Sequence, residues 1–323
     1  MIPAAIVGLG RWGRALVEAS RGERLKIVRG VEPDMAAARD FCAEHHLDLT
    51  DDLNAVLADP AIGAVLLATP HSLHPAQVIA CAAARKQVFC EKPLALHRTD
   101  ATRMFDACRQ AGVTLAVGHN RRFWPSMRAL RDIVASGELG MILHVEGHNS
   151  NENSQKITTG WRLSEDESPG GGLTGAGLHV LDAFVSMLGP VRRVHAQLHS
   201  RERGPPPLDT AMLMMDFASG VTGTLSTIRA TPFYWSVHVF GTKGSAEVLD
   251  ETTLIRRESG SEPKQHSYPV IDVLRAELDA FADAVEGRRA FPVVEAEVLA
   301  TLAAFEAALA SMKSQNPVVC DVP

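Results

Sequence analysis

The chain reads as an α/β protein with an N-terminal doubly wound parallel sheet and a C-terminal α+β domain on a mainly antiparallel sheet. Three observations predict this. Short apolar runs alternate with Ala-rich helical stretches over the first 120 residues, a glycine-rich turn follows the first of those runs directly, and strands with hairpin signals take over after Pro125. At 323 residues the chain is about twice the size of one ordinary domain, so two cores are expected, at 1–122 and 123–323.

The expected parallel strands are the runs Ala4 to Val7, Leu25 to Val31, Ala64 to Ala68, Gln87 to Cys90 and Thr114 to Val117. Helical sequence lies between them at Arg14 to Ser20, Met35 to His45, Ala76 to Arg85 and Ala101 to Ala111, with Pro75 opening one helix and Gly112 closing another. A helix from Pro125 to Ser136 leads into strands expected at Ile142 to Gly147, Val191 to His199, Ala211 to Phe217, Thr222 to Arg229, Ser236 to Phe240 and Ala246 to Leu249. Ala218-Ser219-Gly220 and Thr242-Lys243-Gly244 carry the hairpin signals. Further helices are expected from Gly177 to Leu188, Asp272 to Glu286 and Glu295 to Met312, and Gly204 to Pro207 reads as a stiff surface loop.

Composition narrows the classes. The chain is 46% hydrophobic, 22% charged and 5% aromatic, which suits a globular α/β protein and excludes wholesale disorder. A formal net charge of -6, with basic pairs scattered among acids, leaves no footprint for nucleic acid. The five cysteines lack metal or redox spacing, and the histidines have no accompanying thiol or acid cluster, so no metal is expected. Met1-Ile2-Pro3 runs straight into an apolar strand, and no apolar stretch reaches membrane-spanning length, so neither a leader nor a membrane contact is expected and the expected location is the cytoplasm.

Gly8-Leu9-Gly10-Arg11-Trp12-Gly13 follows the first strand and opens the first helix, the context in which G-x-G-x-x-G marks a Rossmann dinucleotide site. Gly8 permits the tight turn, Gly10 lets a pyrophosphate approach the backbone, and Gly13 lets helix and strand pack closely. The helix N-terminus faces the phosphate charge. Glu32, 19 residues beyond Gly13 at the end of the second strand, is placed to accept hydrogen bonds from the adenine ribose. Its carboxylate would repel a 2'-phosphate, so NAD is favoured, while Arg11 or Arg14 leaves NADP open. The bland alternatives are an ordinary strand-to-helix turn and a solvated strand end.

Further motifs stand after later strands: Ala68-Thr69-Pro70-His71-Ser72-Leu73-His74, Cys90-Glu91-Lys92-Pro93-Leu94 and Gly118-His119-Asn120-Arg121-Arg122-Phe123, with Trp161-Arg162 and Gly170-Gly171-Gly172 beyond them. In order and spacing they resemble the glucose-fructose oxidoreductase, inositol dehydrogenase and MocA family over nearly the whole chain. The resemblance implies a nicotinamide-dependent dehydrogenase or reductase acting on a small hydroxyl or carbonyl compound. It implies that Thr69, Pro70, His71, His74, Glu91, Lys92 and Asn120 line the cofactor trough, that Lys92 is the proton donor and acceptor, and that the Lys92-Pro93 peptide is cis. A lysine desolvated beside a cationic nicotinamide ring has its charged form disfavoured, which suits that role. A surface lysine before a turn is the competing reading.

His179 is the second catalytic candidate, and Asp182, three residues later, shares its helix face, either to orient the imidazole or to bond within the core. In the family pattern an aspartate lies four residues before this histidine, whereas Gly175 stands there in this chain. That departure puts a sugar or cyclitol substrate in doubt and leaves room for a bulkier group. Thr174, Arg121, Arg122, Trp161 and Arg162 complete the candidate substrate contacts, the arginines being equally suited to a carboxylate or to an ion pair between domains. A non-catalytic dinucleotide or ligand sensor of the same fold is the rival function. The resemblance also implies an open sheet face that a homodimer or homotetramer would cover.

Overall fold

A computed structural model describes residues 1–20, 24–151, 160–202 and 208–321, and these divide into two compact units, 1–120 with 272–295 and 121–271 with 296–323. The proline loop at 204–207 lies outside the described residues.

In the first unit the chain runs β1 (Ile2–Val7), α1 (Arg11–Ala19), β2 (Leu25–Val31), α2 (Met35–Glu44), β3 (Asp48–Thr50), α3 (Leu53–Ala58), β4 (Ala64–Leu67), α4 (His74–Ala83), β5 (Gln87–Glu91), α5 (Arg98–Ala111) and β6 (Leu115–Gly118). The six strands are parallel in the order β3-β2-β1-β4-β5-β6. Helices on both faces explain why β4 and most of β1 and β5 read as unbroken apolar runs rather than alternating ones. The order reverses between β1 and β4, so the loops after these two strands part and leave a crevice at the carboxyl edge.

The second unit begins at Arg121 and contains α6 (Pro125–Ala135), β7 (Ile142–Asn151), α7 (Leu178–Leu188), β8 (Val191–Ser200), β9 (Asp209–Phe217), β10 (Thr222–Arg229), β11 (Tyr234–Gly241), β12 (Gly244–Val248), β13 (Thr253–Glu258) and β14 (Lys264–Ser267). With β15 (Val318–Val319) from the chain's end, its nine-stranded sheet has the order β14-β13-β12-β11-β7-β10-β9-β8-β15 and is antiparallel except where β7 and β10 run parallel. Both expected hairpins form, β9 to β10 and β11 to β12. Trp235 on β11 is fully enclosed, with Trp124 edge-on at 5.2 Å.

The expected boundary at 122/123 needs one amendment. After β14 the chain forms α8 (Val273–Val285), and this helix belongs to the first unit, not the second. Phe281 is fully buried there, its ring set edge-to-face against Phe89 of β5 with the centroids 5.8 Å apart. Arg24, at the start of β2, is paired with Asp283 and lies 2.9 Å from Glu286. The amphipathic pattern of α8 shows that one face must be buried, but periodicity carries no information about which core receives it. The chain then closes the second unit with α9 (Glu295–Ser314) and β15 (Val318–Val319).

A buried ion cluster holds the second unit's beginning to two of its helices. The Arg122 guanidinium forks onto Asp182 of α7 at 2.7 and 2.6 Å, and a further nitrogen bonds Glu297 of α9. Burial works against the Arg122 charge, but the field and hydrogen bonds of Asp182, and then of Glu297, outweigh it and raise its pKa above the ordinary value. Asp182 is 1% exposed and could not hold its charge there alone.

Arg122→Ala is therefore expected to lower stability by about 3–5 kcal/mol, because it strands a buried carboxylate. Pairing Arg122→Met with Asp182→Leu should recover most of that loss. Urea unfolding midpoints of the two variants test this, and equal losses would contradict it.

Candidate functional site

The glycine loop of the first unit is fixed by two close approaches. Gly8 has φ +90°, and a β-carbon on it would lie 2.7 Å from the Ala68 carbonyl oxygen. At Gly13 a β-carbon would fall 1.9 Å from the Gly8 carbonyl oxygen, so α1 can leave β1 at this angle only with glycine there. Gly10 differs, since a β-carbon on it would meet nothing within 4 Å. The protein's own packing thus leaves position 10 open on the cleft side, which fits a group that must approach the backbone.

That cleft, of about 490 Å³, is lined by Leu9, Gly10 and Arg11 from the loop and by Glu32, Asp34 and Ala37 from the end of β2 onward. Glu32 accepts a hydrogen bond from the Leu9 N–H at 2.7 Å, tying the strand end to the glycine loop. Arg14 donates to the carbonyls of Leu9 at 2.9 Å and Ala37 at 2.7 Å and lies over the Phe41 ring at 4.9 Å, which commits it to the cleft wall. Arg11 is exposed, 5.9 Å over the half-buried Trp12 ring. The cleft has the donors, the acidic strand end and the open backbone that an adenosine diphosphate moiety needs, so these residues fit NAD.

The other candidates of this unit stand at the carboxyl ends of β4, β5 and β6. The Thr69 hydroxyl donates to Gln77 at 2.6 Å, and Pro70 opens a single 3-10 turn from His71 to Leu73. His74 is fully buried, with its ring nitrogens 3.0 Å from the Pro93 carbonyl and 3.1 Å from the Thr69 carbonyl. It links the β4 and β5 loops instead of lining a trough. Glu91 is buried over Gly118, where a β-carbon would sit 2.9 Å from its carboxylate, and it accepts from the Lys92 N–H at 3.3 Å. The Lys92-Pro93 peptide is cis, and Lys92 is half-buried. Asn120, after β6, has its Oδ1 enclosed without a hydrogen-bond donor.

In the second unit α7 packs so near the sheet that a β-carbon on Gly147 would lie 2.3 Å from Val180. The chain enters α7 through a wide π-helical turn from Leu173 to Gly177. His179 is half-buried near the helix start, and Gly175, four residues earlier, is exposed with nothing within 4 Å of a β-carbon placed there. Room for the absent aspartate side chain is present beside the imidazole's helix face.

Three expected substrate contacts are otherwise engaged. Thr174 is fully buried and its hydroxyl donates to the Pro169 carbonyl, while Arg122 and Asp182 neutralise each other. Asp182 therefore pairs with the arginine, the partner that sequence spacing on one helix could not reveal. Trp161 and Arg162 sit on one 3-10 turn, the guanidinium 4.2 Å over the ring. Asp209 and Arg229 were not anticipated: the carboxylate accepts from the Gly172 N–H at 3.1 Å and pairs with Arg229 at 3.2 Å. Burial raises the Asp209 pKa against the opposing field of Arg229. This pair gives the glycine run at 170–172 a structural reason.

Residues 2–119 match the family model described as the oxidoreductase family, NAD-binding Rossmann fold, and residues 127–247 match the one described as the GFO/IDH/MocA C-terminal domain. Myo-inositol 2-dehydrogenase of Thermotoga maritima is 31% identical over 282 residues, covering 81% of this chain and 80% of its own length. The 1,5-anhydro-D-fructose reductase of Ensifer adhaerens is 32% identical over 243 residues, 72% of each chain. Levoglucosan dehydrogenase in complex with NADH and levoglucosan shares the fold, with a TM-score of 0.88 at 22% identity over 99% of both chains. Two family models, one matching within each unit and together covering more than half of the chain, and a dehydrogenase alike along four-fifths of its length make the chain a member of the GFO/IDH/MocA family of NAD-binding oxidoreductases.

Proposed function

We propose that this oxidoreductase interconverts a secondary alcohol and a carbonyl on a small polyhydroxylated molecule, with Lys92 exchanging the proton and His179 assisting from the second unit. The observation that carries the reading is the position of Lys92 at the carboxyl end of β5, next to β4 in a sheet whose switch point has the build of a dinucleotide site. The named activities of the relatives, myo-inositol dehydrogenase and anhydrofructose reductase, supply the substrate class. Glu32, Leu9 and Gly10 would hold the adenosine and pyrophosphate, and Thr69, Glu91 and Asn120 the nicotinamide end. NAD, when bound, supplies the hydride acceptor for oxidation and the donor for reduction.

Oxidation requires the hydroxyl to lose a proton as the C–H electron pair leaves, and reduction requires the new alkoxide to gain one. In the proposal the neutral Lys92 amine takes that proton in the first direction and the ammonium returns it in the second. His179 holds the hydroxyl oriented through a ring nitrogen. The first-unit cleft accommodates NAD in preference to NADP, because the Glu32 carboxylate stands where a 2'-phosphate would add like charge.

We further propose that a second copy of the chain covers one face of the nine-stranded sheet, giving a homodimer or homotetramer. Met212 and Met214 on β9 are 47% and 58% exposed, alternating with buried neighbours on a central strand. Location in the cytoplasm accords with five cysteines that are all buried and unbridged.

Four substitutions test these proposals. Lys92→Met should lower kcat at least about a hundredfold on any active polyol while NAD still binds, as expected for a lost acid-base group. Unchanged turnover would remove Lys92 from the chemistry. Gly10→Ala should leave the melting temperature within a degree or so yet weaken NAD binding, measured by NADH fluorescence, and Glu32→Ala should narrow the preference for NAD over NADP by roughly tenfold or more. Tighter binding of NADP to the unaltered protein would contradict this account of Glu32. Met214→Glu should convert the sedimenting species to monomer, and an unaltered protein that sediments only as monomer would defeat the assembly.

A further inference from the structure

Arg121 and Arg122 are adjacent cations with opposite circumstances. Arg122 is neutralised by Asp182 and Glu297. Arg121 makes no hydrogen bond and no ion pair within 4 Å among the described residues, and its Nε is enclosed without an acceptor. Its guanidinium carbon instead lies 4.0 Å from the Trp124 ring, 5.4 Å from Trp235 and 5.8 Å from Phe233. The acid whose field reaches it is Glu251, and burial against that field lowers its pKa to about 10. It stays protonated at neutral pH.

Ring faces attract a cation but accept no in-plane N–H bonds, so the donor edge of the guanidinium is left unused. The three rings come from separate places: Trp124 precedes α6, Phe233 precedes β11 and Trp235 lies within it. Together they hold a planar fork in one orientation. Much of the cost of desolvating this charge is met within the fold before any ligand arrives, the condition under which a charged partner binds selectively. Phe233 is 51% exposed, so the box is not sealed. Arg122 is already compensated, and Glu251 reaches Arg121 through its field without a hydrogen bond or ion pair among the described residues, so the fork keeps its donors for a planar, singly charged partner such as a carboxylate.

We infer that Arg121 in its aromatic box binds an anion, and that the substrate is a hydroxy compound bearing a carboxylate. This rests on the reading above that the second unit binds the substrate. It also accords with Gly175, where the acid of the family pattern is missing and one source of repulsion toward such a substrate is gone.

The test uses the full chain with saturating NAD and three matched pairs: D-glucuronate with D-glucose, D-galacturonate with D-galactose, and D-gluconate with D-glucitol. Tryptophan fluorescence reads binding, since Arg121 touches two of the four tryptophans, and NADH absorbance reads turnover in parallel. At least one carboxylate should bind tenfold or more tighter than its neutral partner, and the difference should shrink with added salt. Arg121→Gln should abolish the preference by raising KM for the acid alone, with Arg121→Lys restoring part of it and NAD binding confirming that both variants fold. If no pair shows a carboxylate preference while a neutral polyol is turned over, the inference falls and the proposed activity stands. Inorganic phosphate binding tighter than every carboxylate likewise overturns the assignment. A carboxylate preference without NADH formation keeps the anion site and overturns the proposed activity.

Discussion

The first unit depends on one steric constraint: the carbonyl of Gly8 and the α-carbon of Gly13 must come together with no side chain between them. A single methyl group at position 13 would have to occupy the space of the Gly8 oxygen. Because α1 can then lie close to β1, its N-terminus opens toward the gap where the strand order reverses, and Glu32 can reach the Leu9 amide from the neighbouring strand. Fold and cofactor cleft are thus one geometric solution. The polar features of the cleft are positioned by the same turn that lets the sheet pack.

Much of this is legible in the amino-acid sequence, for a physical reason. A buried parallel strand reads as an apolar run, and a loop needing close backbone approach must spell glycine. The strands around Ala4, Ile27, Leu66 and Phe89 announce themselves in this way. Among the strands that escape the sequence, β3 has three residues, β14 is wholly exposed and β15 has two, while β13 buries only Leu254 of its six. An edge strand has little to bury and so leaves little periodic trace.

The candidate site divides along a similar line. Residues whose role follows from backbone chemistry, such as Gly8, Gly13 and Glu32, were readable because their position in a motif fixes their surroundings. Residues whose partners come from far along the chain were not. Arg122 looked like a ligand contact until Asp182 and Glu297 met it, and His74 until the Thr69 and Pro93 carbonyls bracketed its ring. A charged side chain has no sequence signature for being already satisfied. The converse case, Arg121 with rings in place of acids, was equally hidden, because Phe233 and Trp235 lie more than a hundred positions away.

The late return of α8 to the first unit bears on how the polypeptide matures. Phe281 caps Phe89, and Asp283 and Glu286 engage Arg24, so the nucleotide-binding half lacks part of its hydrophobic cover until these residues have left the ribosome. Synthesis must pass Glu286 before that half can finish folding. Vectorial assembly of the two halves, one after the other, is therefore closed to this topology, and the nascent first half has to wait, partly uncovered, for its last helix.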